Sequence, residues 1–171
     1  MTDRVFILGG TRSGKSSEAV RRARAFGGDA VTFVATARRD ANDPELAERI
    51  TSHRAHRPAA WVVAEIDHDL AAAVRDADAV HTLLVDSLTL WTSTLLERAH
   101  PVEERWREAE AALARRRHPI VIVSDELGLG MVPLDPVSRR FRDDLGRLHQ
   151  AVAAWSTEAW LMVAGLPLRL K

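Results

Sequence analysis

Short apolar runs rich in β-branched residues recur along the chain, at residues 5–8, 30–34, 61–64, 82–85, 119–123 and 160–163. Runs of this length without strict alternation read as strands buried on both faces. Most are separated by segments of helical period, and that alternation predicts crossover units. The expected class is α/β: a mostly parallel central sheet with helices on both faces. The clearest helix covers 136–155, where Val137, Phe141, Leu145, Leu148, Val152 and Trp155 recur every three or four positions. A second covers 102–117, with Arg115, Arg116 and Arg117 in its last turn, where positive charge suits the helix dipole. The triplet reads as a solvated helix end. A third starts at Asp43-Pro44-Glu45 and stops near Arg57, because Pro58 disfavours helical backbone before it.

At 171 residues, with no repeat, low-complexity tract or linker, the chain predicts one domain over 1–171. Lys plus Arg and Asp plus Glu both number 24, so no net field gathers a polyanion, and nucleic acid is not an expected partner. Cysteine is absent, which excludes disulfides, thiolate metal sites and cysteine nucleophiles. The late apolar stretch 159–168 is half a membrane span and contains Gly165 and Pro167, so no transmembrane helix is expected. The first apolar run is short and flanked by charge, unlike a signal peptide. The expected location is cytoplasmic.

Gly9-Gly10-Thr11-Arg12-Ser13-Gly14-Lys15-Ser16 fits G-x-x-x-x-G-K-[ST] between a strand and a helix carrying Ala19, Val20, Ala23 and Phe26. The glycines let successive N–H groups face phosphates, Lys15 reaches the β- and γ-oxygens, and Ser16 suits Mg²⁺. A carboxylate is then expected at the end of a neighbouring strand to organise the magnesium shell. Asp86 after Leu83-Leu84-Val85 fits, with helix capping as its alternative; Asp125 and Glu126 end another apolar run. On the helix after Asp43, Leu46, Ile50, His53 and Arg57 share a stripe, flanked by Arg49, Arg54 and His56. His53 is either a satisfied buried histidine or a group that meets an anionic partner held by those guanidinium forks. His53 and His56 have no further ligands at the spacing zinc needs.

Several ordered motifs accompany the cradle: Val34-Ala35-Thr36-Ala37, Arg49-Ile50-x-x-His53-Arg54, Arg57-Pro58-x-x-Trp61, and Leu84-Val85-Asp86-Ser87-Leu88-Thr89-Leu90-Trp91. Then come Glu126-Leu127-Gly128-Leu129-Gly130-Met131-Val132-Pro133, Arg140-Phe141-Arg142-Asp143 and Gly165-Leu166-Pro167-Leu168. This set, spanning nearly the whole chain, resembles the bifunctional adenosylcobinamide kinase/adenosylcobinamide-phosphate guanylyltransferase family of cobalamin biosynthesis. The resemblance implies a P-loop NTPase-like fold and two reactions. Adenosylcobinamide is phosphorylated, and GMP then passes from GTP to the phosphate through a histidine, matched here by His53. It further implies GTP as co-substrate, with ATP possible for the kinase step, and a homotrimer. Nucleotide contacts carried over by motif are Gly9 to Ser16, Ala35, Thr36, Ala37, Arg54, Ala55, His56, Arg57, Glu65 and Asp86. Lys15 and His53 are the expected catalytic residues, and Ser16 and Asp86 the expected Mg²⁺ ligands. One position departs from the pattern: Asp125 stands where the family usually has Asn.

The segment 126–133 mixes glycines with Leu127, Leu129, Met131 and Val132, which suits either a packing loop or an apolar lid facing the corrinoid. Two rival readings keep the cradle. One is a monofunctional small-molecule kinase with His53 merely packed. The other is a nucleotide-dependent switch or assembly module in which the apolar loop is a partner surface.

Overall fold

The computed structural model describes residues 2–37 and 57–171. The predicted helix after Asp43 therefore lies outside the described residues, apart from Arg57. Each predicted strand forms within one or two residues of expectation: β1 (Arg4–Gly9), β2 (Val31–Ala35), β3 (Val62–Glu65), β4 (Thr82–Asp86), β5 (Ile120–Asp125) and β6 (Glu158–Val163). They join one sheet in the order β3-β2-β4-β5-β1-β6, all parallel, and β7 (Leu166–Arg169) adds an antiparallel edge to β6. That last hairpin is absent from the sequence reading, which took 159–168 as one apolar stretch. Ala164 and Gly165, both at positive φ, turn the chain there.

Burial follows from the order. The central strands β1, β4 and β5 are sealed on both faces, with Phe6, Ile7, Leu83, Leu84, Ile120 and Ile122 at 0% exposure. This is why their sequences show no alternation. β3 corrects the expectation of burial: Val62 and Val63 are about half exposed, because β3 is the sheet's edge. The helices are α1 (Lys15–Gly27), α2 (Leu70–Asp76), α3 (Leu88–Glu97), α4 (Val102–Leu113) and α5 (Pro136–Trp155). On α5, Leu145, Leu148 and Val152 are buried as the period requires, whereas Val137 is 75% exposed at its first turn.

The arginine triplet also needs correcting. α4 ends at Leu113, and Arg116 folds back instead of facing solvent. Its guanidinium donates to the carbonyl oxygens of Val74, Ala77, Asp78 and His81 at 2.7–3.3 Å. Those carbonyls include the orphaned acceptors at the C-terminal end of α2, so a cation there satisfies both geometry and dipole. Burial lowers the Arg116 pKa from its ordinary value, yet such a base stays charged. Arg116→Ala is expected to cost about 2–3 kcal/mol, at about 1.5–3 kcal/mol for a charge-assisted bond with the freed carbonyls partly rehydrated. Thermal denaturation should show Tm lowered by about 4–12 °C.

Candidate functional site

The sheet's topology gathers the carboxyl ends of its strands along one rim. Gly9 stands beside Asp125, Asp86 beside Val123, and Ala35 beside both Asp86 and Glu65. Four strand spacings separate Glu65 from Gly9, roughly 19 Å at about 4.8 Å each. That span is comparable to the length of an extended nucleotide. One expectation is refined here: the strand beside the cradle strand is β5, so Asp86 lies one strand further out. A cavity of about 600 Å³ between β3 and α2 has Glu65, Asp67, His68, Asp76 and His81 in its lining, so Glu65 borders both spaces.

The cradle itself forms as the motif requires. Gly14 takes φ 92°, a conformation that a side chain disfavours, and starts α1. The Ser13 N–H donates to the Gly10 carbonyl at 3.2 Å, and the Glu18 N–H to Gly14 at 3.0 Å. The Lys15 ammonium donates to the Gly10 carbonyl at 3.2 Å and pairs with Asp125 at 2.5 Å. Both partners are largely buried, so the Asp125 charge is balanced internally. Ser13 Oγ is buried without a hydrogen-bond partner, and a Cβ on Gly9 would lie 2.3 Å from it. A space lined by an unspent hydroxyl and closed to side chains fits phosphate oxygens. A brace comes from far along the sequence: the Gly165 N–H donates to the Ser13 carbonyl at 3.0 Å, and a Cβ on Gly14 would lie 3.3 Å from Gly165 Cα. The Gly165-Leu166-Pro167-Leu168 motif thus holds the cradle.

The β2 and β4 ends are clasped together. Thr36 Oγ1 accepts from the Ser87 N–H at 2.8 Å and donates to the Ser87 carbonyl at 2.7 Å. Thr36 is fully buried, and its hydroxyl serves this clasp. Arg57 places its guanidinium 4.0 Å above the Phe33 ring, at the β2 face. His53, Arg54, Ala55 and His56 lie outside the described residues.

A buried polar chain that the sequence reading missed runs beside the cradle. The Asp125 N–H donates to Thr89 Oγ1 at 2.7 Å, Thr89 Oγ1 lies 3.1 Å from Ser124 Oγ, and Ser124 Oγ lies 2.8 Å from His149 Nε2. A backbone N–H only donates, so one consistent assignment passes hydroxyl protons from Thr89 to Ser124 to Nε2. The remaining proton then sits on Nδ1, 3.8 Å from a Glu126 carboxylate oxygen. Burial pushes the His149 pKa below the usual imidazole value, and the nearby Glu126 and Asp125 charges oppose that only in part. A signal for this residue existed: His149 lies four positions after Leu145 and three before Val152, on the buried face of α5. The sign of its titration is fixed. The folded value is depressed, so the unfolded chain binds the proton more readily. The associated stability is complete above about pH 6.5 and is lost as the pH falls below it. Urea midpoints between pH 7.5 and 5.5 should decline more steeply for the wild type than for His149→Gln.

The apolar segment after Glu126 is not packed against its own chain: Leu129, Met131 and Leu134 are 84–97% exposed. Its backbone is nevertheless pinned, with Arg142 donating to the Gly130 and Met131 carbonyls and Arg139 to those of Pro133 and Leu134. Of the two readings of this loop, the packing one does not hold among the described residues.

A family model described as cobinamide kinase / cobinamide phosphate guanyltransferase matches residues 5–170. The chain belongs to this family. It is therefore a transferase by family, with the cradle, the strand-end acids and the Gly165 brace all inside the matched region. A bifunctional adenosylcobalamin biosynthesis protein of Pseudomonas aeruginosa is 47% identical, the match covering 98% of this chain and 97% of the relative. A protein of the same description from Salmonella typhimurium is 34% identical over 98% of this chain and 99% of its own length. Among solved structures, the flagellar accessory protein FlaH of Methanocaldococcus jannaschii has a TM-score of 0.54 at 13% identity, covering 99% of this chain and 78% of that one. A type III secretion system ATPase of pathogenic bacteria has a TM-score of 0.57 at 14% identity, covering 94% and 52%. At such identities these two likenesses show the fold alone, in agreement with the P-loop NTPase-like expectation. No helix among the described residues is long and apolar enough to cross a membrane.

Proposed function

We propose that the chain phosphorylates the aminopropanol hydroxyl of adenosylcobinamide and then transfers GMP from GTP onto that phosphate, giving adenosylcobinamide-GDP and pyrophosphate. The observation that carries this reading is the family match across the cradle together with Lys15 held ready in it between Gly10 and Asp125. In the first step the cradle N–H groups and Lys15 stabilise charge on the transferring phosphoryl group. In the second, a neutral imidazole offers a free lone pair. His53 attacks the α-phosphorus, the bond to the β-phosphate's bridging oxygen breaks, and pyrophosphate departs. An oxygen of the substrate phosphate then displaces the imidazole, breaking the P–N bond. Arg54 and Arg57 are the guanidinium groups assigned to the departing charge.

Ser16 at the start of α1 and Asp86 at the end of β4 are the residues that would hold Mg²⁺, and the unspent hydroxyl and acids along the rim suit a metal–phosphate ligand. When bound, the ion supplies charge neutralisation at the phosphates. Glu65 and Ala35 to Ala37 are assigned to the nucleoside end of the same ligand. GTP is the co-substrate of the second step, and GTP or ATP that of the first. The resemblance further assigns a homotrimer, checked by light scattering on the purified protein.

The deciding experiment is incubation with α-labelled GTP and Mg²⁺. The expected result is an acid-labile, alkali-stable label on the protein, which cobinamide phosphate discharges as the GDP derivative. A wild type that phosphorylates cobinamide but never carries the label reduces the protein to a monofunctional kinase. Nucleotide affinity with no acceptor turnover at all leaves only the switch or assembly reading.

A further inference from the structure

Phosphoryl transfer to an alcohol needs a place for the hydroxyl proton, and the described rim offers few carboxylates for it. Asp125 faces Lys15 and serves that cation. Asp86, at the end of β4, is the carboxylate assigned with Ser16 to Mg²⁺. Glu126 is the first residue past β5, and its N–H donates to the Gly9 carbonyl at 3.0 Å, which fixes its backbone against the start of the cradle. One carboxylate oxygen accepts from the Gly128 N–H at 2.5 Å, so that half of the group is anchored. The other oxygen faces His149 Nδ1 across 3.8 Å, wider than a hydrogen bond. The exposed apolar segment of Leu129, Met131 and Leu134 follows directly, which sets this turn beside a surface suited to a bulky apolar acceptor.

Resting on the kinase half of the proposed function, we infer that Glu126 is the catalytic carboxylate that receives the acceptor's hydroxyl proton, and that His149 is its positioning residue. The acceptor oxygen forms a bond to the γ-phosphorus. The bond from that phosphorus to the β–γ bridging oxygen breaks, its electron pair leaving on the nucleoside diphosphate. The hydroxyl proton passes to the free oxygen of Glu126. His149 acts from behind, through Ser124 and Thr89, on the backbone N–H of Asp125, and so holds the turn from which Glu126 projects. The acidic partner and its support come from three elements, β5, α3 and α5, packed around one hydroxyl pair.

The test measures steady-state phosphorylation of cobinamide beside the Kd of a non-hydrolysable triphosphate analogue. Glu126→Gln is expected to lower kcat by about 10²-fold, as removal of a proton acceptor does, with analogue Kd within about threefold of wild type. His149→Leu should lower kcat about tenfold at unchanged nucleotide KM, and His149→Gln, whose amide reaches Ser124, should restore it to within about threefold. Should His149→Leu fail to fold, Thr89→Val interrupts the same chain from its other end and should give the same kcat loss. Wild-type kcat in Glu126→Gln overturns the assignment, as does a loss matched by an equal loss of analogue binding. A His149→Leu or Thr89→Val protein with lowered Tm but full kcat removes the positioning role. Failure of the underlying kinase reading looks different, since the wild type itself would then bind the analogue and phosphorylate no cobinamide.

Discussion

Lys15→Met is expected to lower cobinamide phosphorylation by about 10²–10³-fold, a loss of about 2.7–4 kcal/mol of transition-state stabilisation, the scale for removing one preorganised donor. The structural reason is that the Gly10 carbonyl and the Asp125 carboxylate fix the ammonium in the cradle, so little reorganisation is needed as phosphate charge develops. Methionine keeps the stem but deletes the charge. Asp125 is then left as a largely buried carboxylate without its cation, so the variant should also bind triphosphate more weakly. Initial rates with γ-labelled nucleotide, beside the Kd of a non-hydrolysable analogue, read both effects. Full turnover by the variant would show that the cradle's charge is supplied by another group.

His53→Ala should abolish the protein-bound label from α-labelled GTP and, with it, formation of adenosylcobinamide-GDP, while cobinamide phosphorylation continues near the wild-type rate. Removal of a covalent nucleophile leaves no alternative route to a two-step transfer, so the loss is expected to exceed any other single substitution. The product ratio of cobinamide phosphate to its GDP derivative, followed by chromatography, is the direct readout. Persistence of an acid-labile label in the variant would move the nucleophile elsewhere in the chain.

The sheet was legible because its central strands are sealed on both faces and therefore appear as unbroken apolar runs. Gly9 to Ser16 was legible for a different reason: each residue type there answers to a backbone or phosphate requirement. The same signals failed at the sheet's edges. Val62 and Val63 look like core residues, yet edge position leaves them half exposed, and β7 was lost because Pro167 and Gly165 weaken a strand pattern. Arg116 shows a limit of reading charge runs, since three adjacent arginines look alike until one finds a helix end to cap. The Thr89–Ser124–His149 chain was beyond reach because its members come from three separate elements, and only the sheet order brings them together. Family motifs supplied the nucleotide positions, and at Thr36 the motif named a residue whose hydroxyl is spent on Ser87.

The brace between Gly165 and Ser13 bears on how this protein is made. β1 carries the cradle and emerges early during synthesis, but its two flanking strands, β5 and β6, and the turn that steadies it all emerge late. A nascent chain halted before residue 158 would display the complete glycine-and-lysine signature with nothing on one flank to shape it. Nucleotide capture is therefore expected only after β6 and the Gly165 turn have joined the sheet.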